Sequence, residues 1–231
     1  MFSFHLGRVS PATSAAALVR GPQPGRVSGL VHAESLVGMR LGAPVVTPDR
    51  LQLRRFALFA RWEDEAALIQ FLDQDRLGRQ LADGWHVRME FLRRWGSVRG
   101  LHDLPERTER SDPDAPVVAV TVARMRLPEL PRFLHWGRPV ERLVRDHPGA
   151  TLAMAAIRPP CSVSTFSVWR TTRDMVEMVH GHSEVDAPRR HVNAMAERER
   201  RDFHHEFTTL RFRPVSEHGS WEGRSKLVPL A

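Results

Sequence analysis

The second half of the chain shows the clearer pattern of apolar and polar positions. Residues 117–125 are apolar at both alternating sets of positions, which predicts a strand that is covered on both faces. The same reasoning predicts further strands at 151–157, 164–170 and 208–213, and helices at 128–146, 172–179 and 188–206. The resulting order, β-α-β-β-α-β, is that of a ferredoxin-like unit.

The first half repeats this order less clearly. Its pattern predicts strands at 2–9, 55–62 and 85–93, a strand or irregular segment at 30–41, and helices at 13–20, 63–71 and 75–83. Segments 56–93 and 166–213 carry the same succession of elements. This indicates an internal duplication of the fold rather than of the sequence itself.

Residues 101–116 are polar and contain three prolines, which predicts a linker between the two halves. We therefore expect an N-terminal unit at 1–100, a C-terminal unit at 117–221 and a tail at 222–231. Each unit would hold helices on one face of its sheet and leave the other face apolar. The predicted α+β fold is thus two tandem ferredoxin-like units in a dimeric α/β-barrel arrangement, formed within one chain or between two.

The composition narrows the class of protein. Of the 231 residues 42% are apolar, enough for a core, and no apolar run reaches the roughly 18–20 residues of a membrane span. The first residues lack the pattern of a secretory signal, so we expect a cytoplasmic protein without membrane association. Cys161 is the only cysteine, which excludes an intrachain disulfide and a cysteine-rich zinc site.

The net charge of +7 comes almost entirely from arginine, since Lys226 is the only lysine among 34 Lys and Arg residues. The arginines are scattered among 27 acidic residues rather than gathered in a stripe with aromatic partners. We therefore predict no nucleic-acid partner. The positive charge is as compatible with a small anionic ligand as with a nucleic acid.

Histidine is the candidate ligand residue. Five of the 12 histidines lie between positions 180 and 205: His180, His182, His191, His204 and His205. His191 borders the apolar stripe 188, 192, 195 and 203 of the predicted helix 188–206, where an imidazole can face the sheet and bind haem iron. The alternative is a partly buried histidine that is hydrogen-bonded to a carbonyl group.

Large apolar side chains near His191 would line a haem slot; the candidates are Phe133, Trp136, Phe166, Trp169 and Met195. Arg124, Arg138, Arg158 and Arg170 could bind a propionate or polarise an iron-bound ligand, or could be solvated surface charges. We take Arg138 as the candidate cofactor-binding arginine, and Arg158 and Ser167 as candidate catalytic residues. Nucleophile, P-loop and dinucleotide motifs are missing from the sequence.

Several segments resemble the spheroidene monooxygenase family. They are Phe-Ala-Leu-Phe-Ala-Arg-Trp with the acidic residues after it (56–65), Phe-Leu-Arg-Arg-Trp-Gly (91–96), Thr-Phe-Ser-Val-Trp (165–169), and His-Val-Asn-Ala-Met (191–195) with Phe203 and Arg-Phe-Arg (211–213). The resemblance implies haem b iron, oxygen chemistry, the barrel fold and an outside electron donor such as ferredoxin. The family's histidine falls on His191, and because the alignment needs a gap nearby, His180 and His182 remain alternatives.

The leading hypothesis is therefore a haem-dependent monooxygenase that acts on a small molecule of specialised metabolism. His191 would be the iron ligand, in the 117–221 unit, and a homodimer is one possible assembly. Three alternatives stay open. The first is a haem enzyme for nitrogen–oxygen substrates, with nitrogen–nitrogen bond formation or aldoxime-dehydratase-like chemistry. The second is a non-catalytic haem-binding protein, and the third is RNA binding through arginine.

Overall fold

The computed structural model describes residues 1–43 and 51–229. The first half of the chain forms, in order, β1 (Phe2–Arg8), α1 (Pro11–Arg20), β2 (Leu30–Met39), β3 (Gln52–Trp62), α2 (Glu65–Gln74), α3 (Arg76–Ala82) and β4 (Trp85–Ser97). The second half forms β5 (Val117–Met125), a 3-10 turn (Leu127–Glu129), α4 (Leu130–Asp146), β6 (Ala150–Arg158), β7 (Ser162–Trp169), α5 (Thr172–His180), α6 (Arg190–Arg200) and β8 (His204–Gly219).

Short polar side chains fix where several helices begin. The Ser10 hydroxyl accepts a hydrogen bond from the Thr13 N–H (3.0 Å), and Asp64 accepts one from the Ala67 N–H (2.8 Å). Thr171 caps α5 in the same way, accepting from the Asp174 N–H at 3.0 Å. Such caps satisfy N–H groups that have no partner within the helix.

The strands close into one barrel in the order β1-β3-β2-β6-β7-β5-β8-β4. Each half contributes an antiparallel four-stranded sheet with the strand order of a ferredoxin-like unit. The halves join through β4 and β8, which pair from Trp85↔Gly219 to Ser97↔Phe207, and through the shorter pairing of β2 with β6. The predicted fold class is therefore confirmed, and a single chain closes the barrel.

Aromatic side chains fill the inside of the barrel. Phe4 of β1 and Phe166 of β7 stack with ring centroids 3.8 Å apart, and Trp85 meets Phe166 edge to face at 5.9 Å. Phe2 and Phe212 add a further contact at 4.9 Å. Because these residues come from both halves, the inner faces of the two sheets share one hydrophobic core.

Two helical predictions in the second half need correction. The helix predicted at 188–206 ends at Arg200, because Arg201 is already extended and the chain from His204 pairs with β5. Phe203 is therefore not part of a helical stripe with Met195. The second correction concerns Gly137 and Pro139, which predict a break in the helix at 128–146. No break occurs there, since α4 runs continuously through both residues. In the described residues no helix combines the length and apolar character needed to cross a bilayer.

Candidate functional site

The outer face of the C-terminal sheet carries unusually small side chains. One cross-strand row consists of Ala155, Thr165, Thr121 and Thr209. The next row consists of Ala153, Ser167 and Ala119 and ends at the larger Arg211. The Thr121 and Thr209 hydroxyl oxygens lie 3.3 Å apart, which shows that these two side chains share a face. Thr165 is exposed although Ser164 and Phe166 beside it are buried. We call Ala119, Thr121, Thr165, Ser167 and Thr209 the small-residue floor.

The helices above this floor leave it partly uncovered. Helix α6 packs mainly on α4 and α5 rather than on a strand. Several apolar side chains of α4 that would normally be buried against a sheet are only half-buried; they are Phe133, Leu134, Trp136 and Val140. Small side chains on the sheet and half-buried apolar side chains on α4 together indicate a groove between the helices and the sheet.

His191 lies on the first turn of α6 and is held by the end of α5. Its Nδ1 lies 3.0 Å from the Val179 carbonyl oxygen. Since a carbonyl only accepts, Nδ1 carries the proton and Nε2 keeps a free lone pair. The carbonyl is available because it lies in the last turn of α5, where helical partners run out, and Gly181 then reverses the chain with φ +72°.

The electrostatics keep this imidazole neutral. Burial lowers the pKa of His191 below its usual value, and the nearby His180 lowers it further, against the opposing effect of the Val179 carbonyl. Neutral imidazole with Nδ1–H bonded to a backbone carbonyl is the form in which histidine binds metals through Nε2. Nε2 has no hydrogen-bond partner among residues 1–43 and 51–229. The arrangement thus offers one imidazole nitrogen as a ligand.

The rival histidines His180 and His182 lie at the other side of the α5–α6 turn. Both are exposed, and their rings stack at 6.1 Å. In the described part of the chain no three His, Cys, Asp or Glu side chains converge as a metal site. His191 differs from both rivals in being half-buried and held in one tautomer.

The other predicted cofactor-binding residues divide between α4 and α6. Met195 is half-buried one turn after His191. Phe133 packs edge-on against Phe203 with centroids 6.1 Å apart, and Trp136 is half-buried beside His135. The Arg138 Nε is buried and has no hydrogen-bond partner in the parts of the chain that the structure describes.

On the sheet side, Ser167 and Trp169 both face the helices. The Trp169 indole N–H donates to the Ser167 hydroxyl at 2.9 Å, and the indole packs against His147 with centroids 5.1 Å apart. Trp169 is fully buried, so it closes one end of the groove rather than lining its open part.

Two predicted site residues lie elsewhere. The prediction that Phe166 lines the same surface as Trp169 is wrong, because alternation along β7 turns Phe166 into the barrel and against Phe4. Arg158 lies at the barrel end, where its Nη2 is 3.7 Å from Glu34 Oε2. Both residues are therefore outside the groove that His191 borders.

The barrel end near Arg158 contains a buried acid that the sequence pattern did not single out. Glu34 is 1% exposed, forms an ion pair with Arg124 and lies 3.2 Å from the His32 Nε2. Burial alone would raise the pKa of Glu34, but the hydrogen bonds and charges of His32 and Arg124 outweigh it and lower the pKa. The available signal was an acid within the mostly apolar strand segment 30–39.

Comparison with known proteins finds a sequence relative in the family that the residues resemble. The chain is 31% identical to spheroidene monooxygenase of Rubrivivax gelatinosus over 173 residues, which are 74% of this chain and 64% of that protein. The chain thus spans less than two thirds of its relative's length. The predicted resemblance to this family is confirmed. No protein-family profile matches the sequence.

Solved structures with a similar fold have a much lower sequence identity to this chain. A monooxygenase-like protein from Listeria innocua is 11% identical with a TM-score of 0.31, and the match covers 94% of this chain and 95% of that one. A heme-degrading enzyme from Listeria monocytogenes is 12% identical with a TM-score of 0.29, over 91% of this chain and 99% of the other.

Proposed function

We propose that the chain is a haem-dependent oxidoreductase of the monooxygenase type, with haem b in the groove above the small-residue floor and the His191 Nε2 as iron ligand. The observation that carries the proposal is the state of His191. Its Nδ1 proton is bonded to the Val179 carbonyl, so Nε2 keeps the lone pair that can bind iron. The helix that bears it packs on α4 and α5 rather than on a strand, and the outer face of the neighbouring sheet carries Ala, Ser and Thr.

The donor set supports haem over a bare metal ion. A tetrahedral zinc site needs three or four protein ligands, whereas an iron already bound by a porphyrin needs a single axial imidazole from the protein. His191 offers such an imidazole beside α4 and α5, and no cluster of three or more ligands occurs within residues 1–43 and 51–229. Bound haem supplies iron for reaction with oxygen.

The residues around the groove have separate roles in this proposal. The Arg138 Nε, buried and without a partner in the described chain, is positioned to neutralise a haem carboxylate. Hydroxyl groups of Thr121, Thr165 and Thr209 give the floor hydrogen-bonding capacity toward a small substrate. The half-buried rings of α4 exclude water from the same space.

Monooxygenation consumes two electrons that neither the protein nor O₂ supplies. The proposal therefore includes an external donor such as ferredoxin and a small-molecule substrate. Arg158 and the Glu34 network lie at the barrel end and do not border the groove, so we assign them no step in this chemistry.

Absorption spectroscopy tests the proposal directly. The protein is produced with a haem precursor in the medium, purified, and examined for a Soret band and for haem content after extraction into alkaline pyridine. We expect about one haem per chain. His191→Gly should lose or shift the Soret band, and added imidazole should restore it by occupying the space of the missing ring.

The matched controls are His180→Gly and His182→Gly, which remove exposed imidazoles beside the same turn. Their spectra should equal that of the wild type. A protein that is colourless and cannot be loaded with haem contradicts the proposal. Loss of the band in a control variant instead of His191→Gly transfers the ligand role to that histidine. Turnover that needs nitrite or an aldoxime and no O₂ would replace the monooxygenase assignment.

A further inference from the structure

A second site is formed where β4 and β8 join the two halves of the barrel. A cavity of about 450 Å³ opens there beside helix α5, and five arginines line it: Arg93, Arg107, Arg110, Arg173 and Arg211. Glu177 is the one acidic residue of the lining. Such an excess of guanidinium groups around one cavity creates a local positive potential.

The backbone fixes three of these arginines close together. Arg93 of β4 and Arg211 of β8 are direct partners in the ladder, and Arg107 pairs with Arg93 in an isolated bridge. The guanidinium carbons of Arg93 and Arg211 lie 4.0 and 4.3 Å from the centre of the Trp95 ring. Stacking on the ring face fixes each guanidinium plane and leaves its N–H groups free at the edges.

Most of the arginines around the cavity have no ion-pair partner within the described residues. Arg173 pairs with Asp114 at 2.7 Å, but Arg93, Arg107, Arg110 and Arg211 form no ion pair in residues 1–43 and 51–229. Burial, followed by the charges of Arg93 and Arg107, lowers the pKa of Arg211 to about 10. A ladder that holds like charges together in this way favours an anionic ligand between them.

We propose that this arginine cavity binds the phosphate or diphosphate group of a ligand. A single carboxylate would neutralise one of the four unpaired guanidiniums, whereas a phosphate or diphosphate carries two or more negative charges and several acceptor oxygens. The ligand is held by side chains, because the first N–H groups of α5 are already bonded: Thr172 donates to Ala115 and Arg173 to Pro113, both at 2.8 Å.

The cavity adjoins the proposed haem groove, since Arg211 belongs to the row that also contains Ala119 and Ser167. Haem carboxylates are therefore a second source of negative charge for the same arginines. The two sources make different predictions. If the arginines bind a phosphate ligand, diphosphate should bind whether or not haem is present. If they bind haem carboxylates instead, haem loading should prevent diphosphate binding.

Calorimetric titration with sodium diphosphate at constant ionic strength tests the inference, using haem-free and haem-loaded protein. The first variants are Arg107→Gln, which changes an exposed residue and leaves the core intact, and Arg93→Gln. The control is Arg26→Gln, an exposed arginine in the turn before β2 with the same change of charge. We expect each cavity variant to weaken binding about ten-fold, the loss of one charge-assisted contact, and the control to leave it unchanged.

Equal binding by the control and the cavity variants at the same ionic strength would show nonspecific charge attraction and overturn the proposal. Absence of diphosphate binding to the haem-free wild type would do the same. If haem loading abolishes diphosphate binding while Arg107→Gln lowers haem affinity, the arginines bind haem carboxylates and the phosphate assignment is wrong. The measurements on haem-free protein do not depend on whether His191 binds iron, so they test the arginine cavity even if the proposed haem site is wrong.

Discussion

Three imidazoles lie side by side across β1, β4 and β8, and they should make the fold sensitive to acid. His5 and His86 are ladder partners with rings 4.9 Å apart, and the rings of His86 and His218 are 4.6 Å apart. Neither nitrogen of His86 has a hydrogen-bond partner in the described chain. Burial, then the charges of His218 and Arg88, lowers the pKa of His86 from 6.5 to about 4.

Acid should destabilise the folded chain because the pKa of His86 is lower in the folded than in the unfolded state. At pH 7 His86 is neutral in both the folded and the unfolded chain. As the pH falls below 6.5 the unfolded chain binds a proton that the folded chain does not, so stability is lost until the pH reaches about 4. Between pH 7 and pH 5 this one group removes about 2 kcal/mol from the free energy of unfolding. His5, fully buried, shifts in the same direction.

The test compares the wild type with His86→Leu, which keeps a similar side-chain volume and cannot titrate. Urea unfolding at pH 7 and pH 5 gives the free energy lost on acidification for each protein. We expect the variant to lose about 2 kcal/mol less than the wild type. His205→Leu, at an exposed position of β8, should behave as the wild type does. Equal losses in the wild type and His86→Leu would refute the reasoning.

Three further substitutions probe the core, the buried acid and the groove. Phe166→Ala should lower the free energy of unfolding by about 3–5 kcal/mol, measured by urea unfolding, because it removes the ring stacked on Phe4. Glu34→Ala should lower the free energy of unfolding by about 3 kcal/mol in the same assay, since it leaves the partly buried Arg124 without its partner. Thr165→Leu should leave the melting temperature unchanged or raised, and should reduce the haem bound per chain, measured by the Soret absorbance; unchanged haem content would contradict the position assigned to the groove.

The sequence predicted the order of elements well because the strands carry strong local signals. Val117–Met125 is apolar on both faces and was predicted with the bounds that the structure shows. The error at 188–206 arose where the local signal was mixed, since the charged segment after Met195 continues a helical pattern. Pairing of residues from His204 onward with β5, a tertiary contact, overrides that pattern.

The sites were less accessible to sequence reasoning because cross-strand register builds them. Arg93 and Arg211 are 118 positions apart, and only the β4–β8 ladder makes them neighbours. The error in the position predicted for Phe166 also comes from strand register. A shift of one residue along β7 exchanges the inner and outer faces, so Phe166 and Trp169 cannot be assigned to one surface from composition alone. The half-buried position of His191 on a helix could be predicted because the helical pattern around it is local, and its role as an iron ligand stays a prediction.

The internal duplication explains where the groove comes from. Along β3 the side chains that face α1 and α2 are Phe56, Leu58, Ala60 and Trp62, all buried in one cluster. The matching strand β7 presents Val163, Thr165, Ser167 and Trp169 to its helices. The tryptophan is kept in both halves, but Leu58 is fully buried whereas Thr165, at the corresponding position, is exposed. The N-terminal unit thus covers this position of the sheet, whereas the C-terminal unit leaves the corresponding position uncovered. This difference is why Thr165→Leu should close the groove: it restores in the C-terminal unit the side chain with which the N-terminal unit fills the same position.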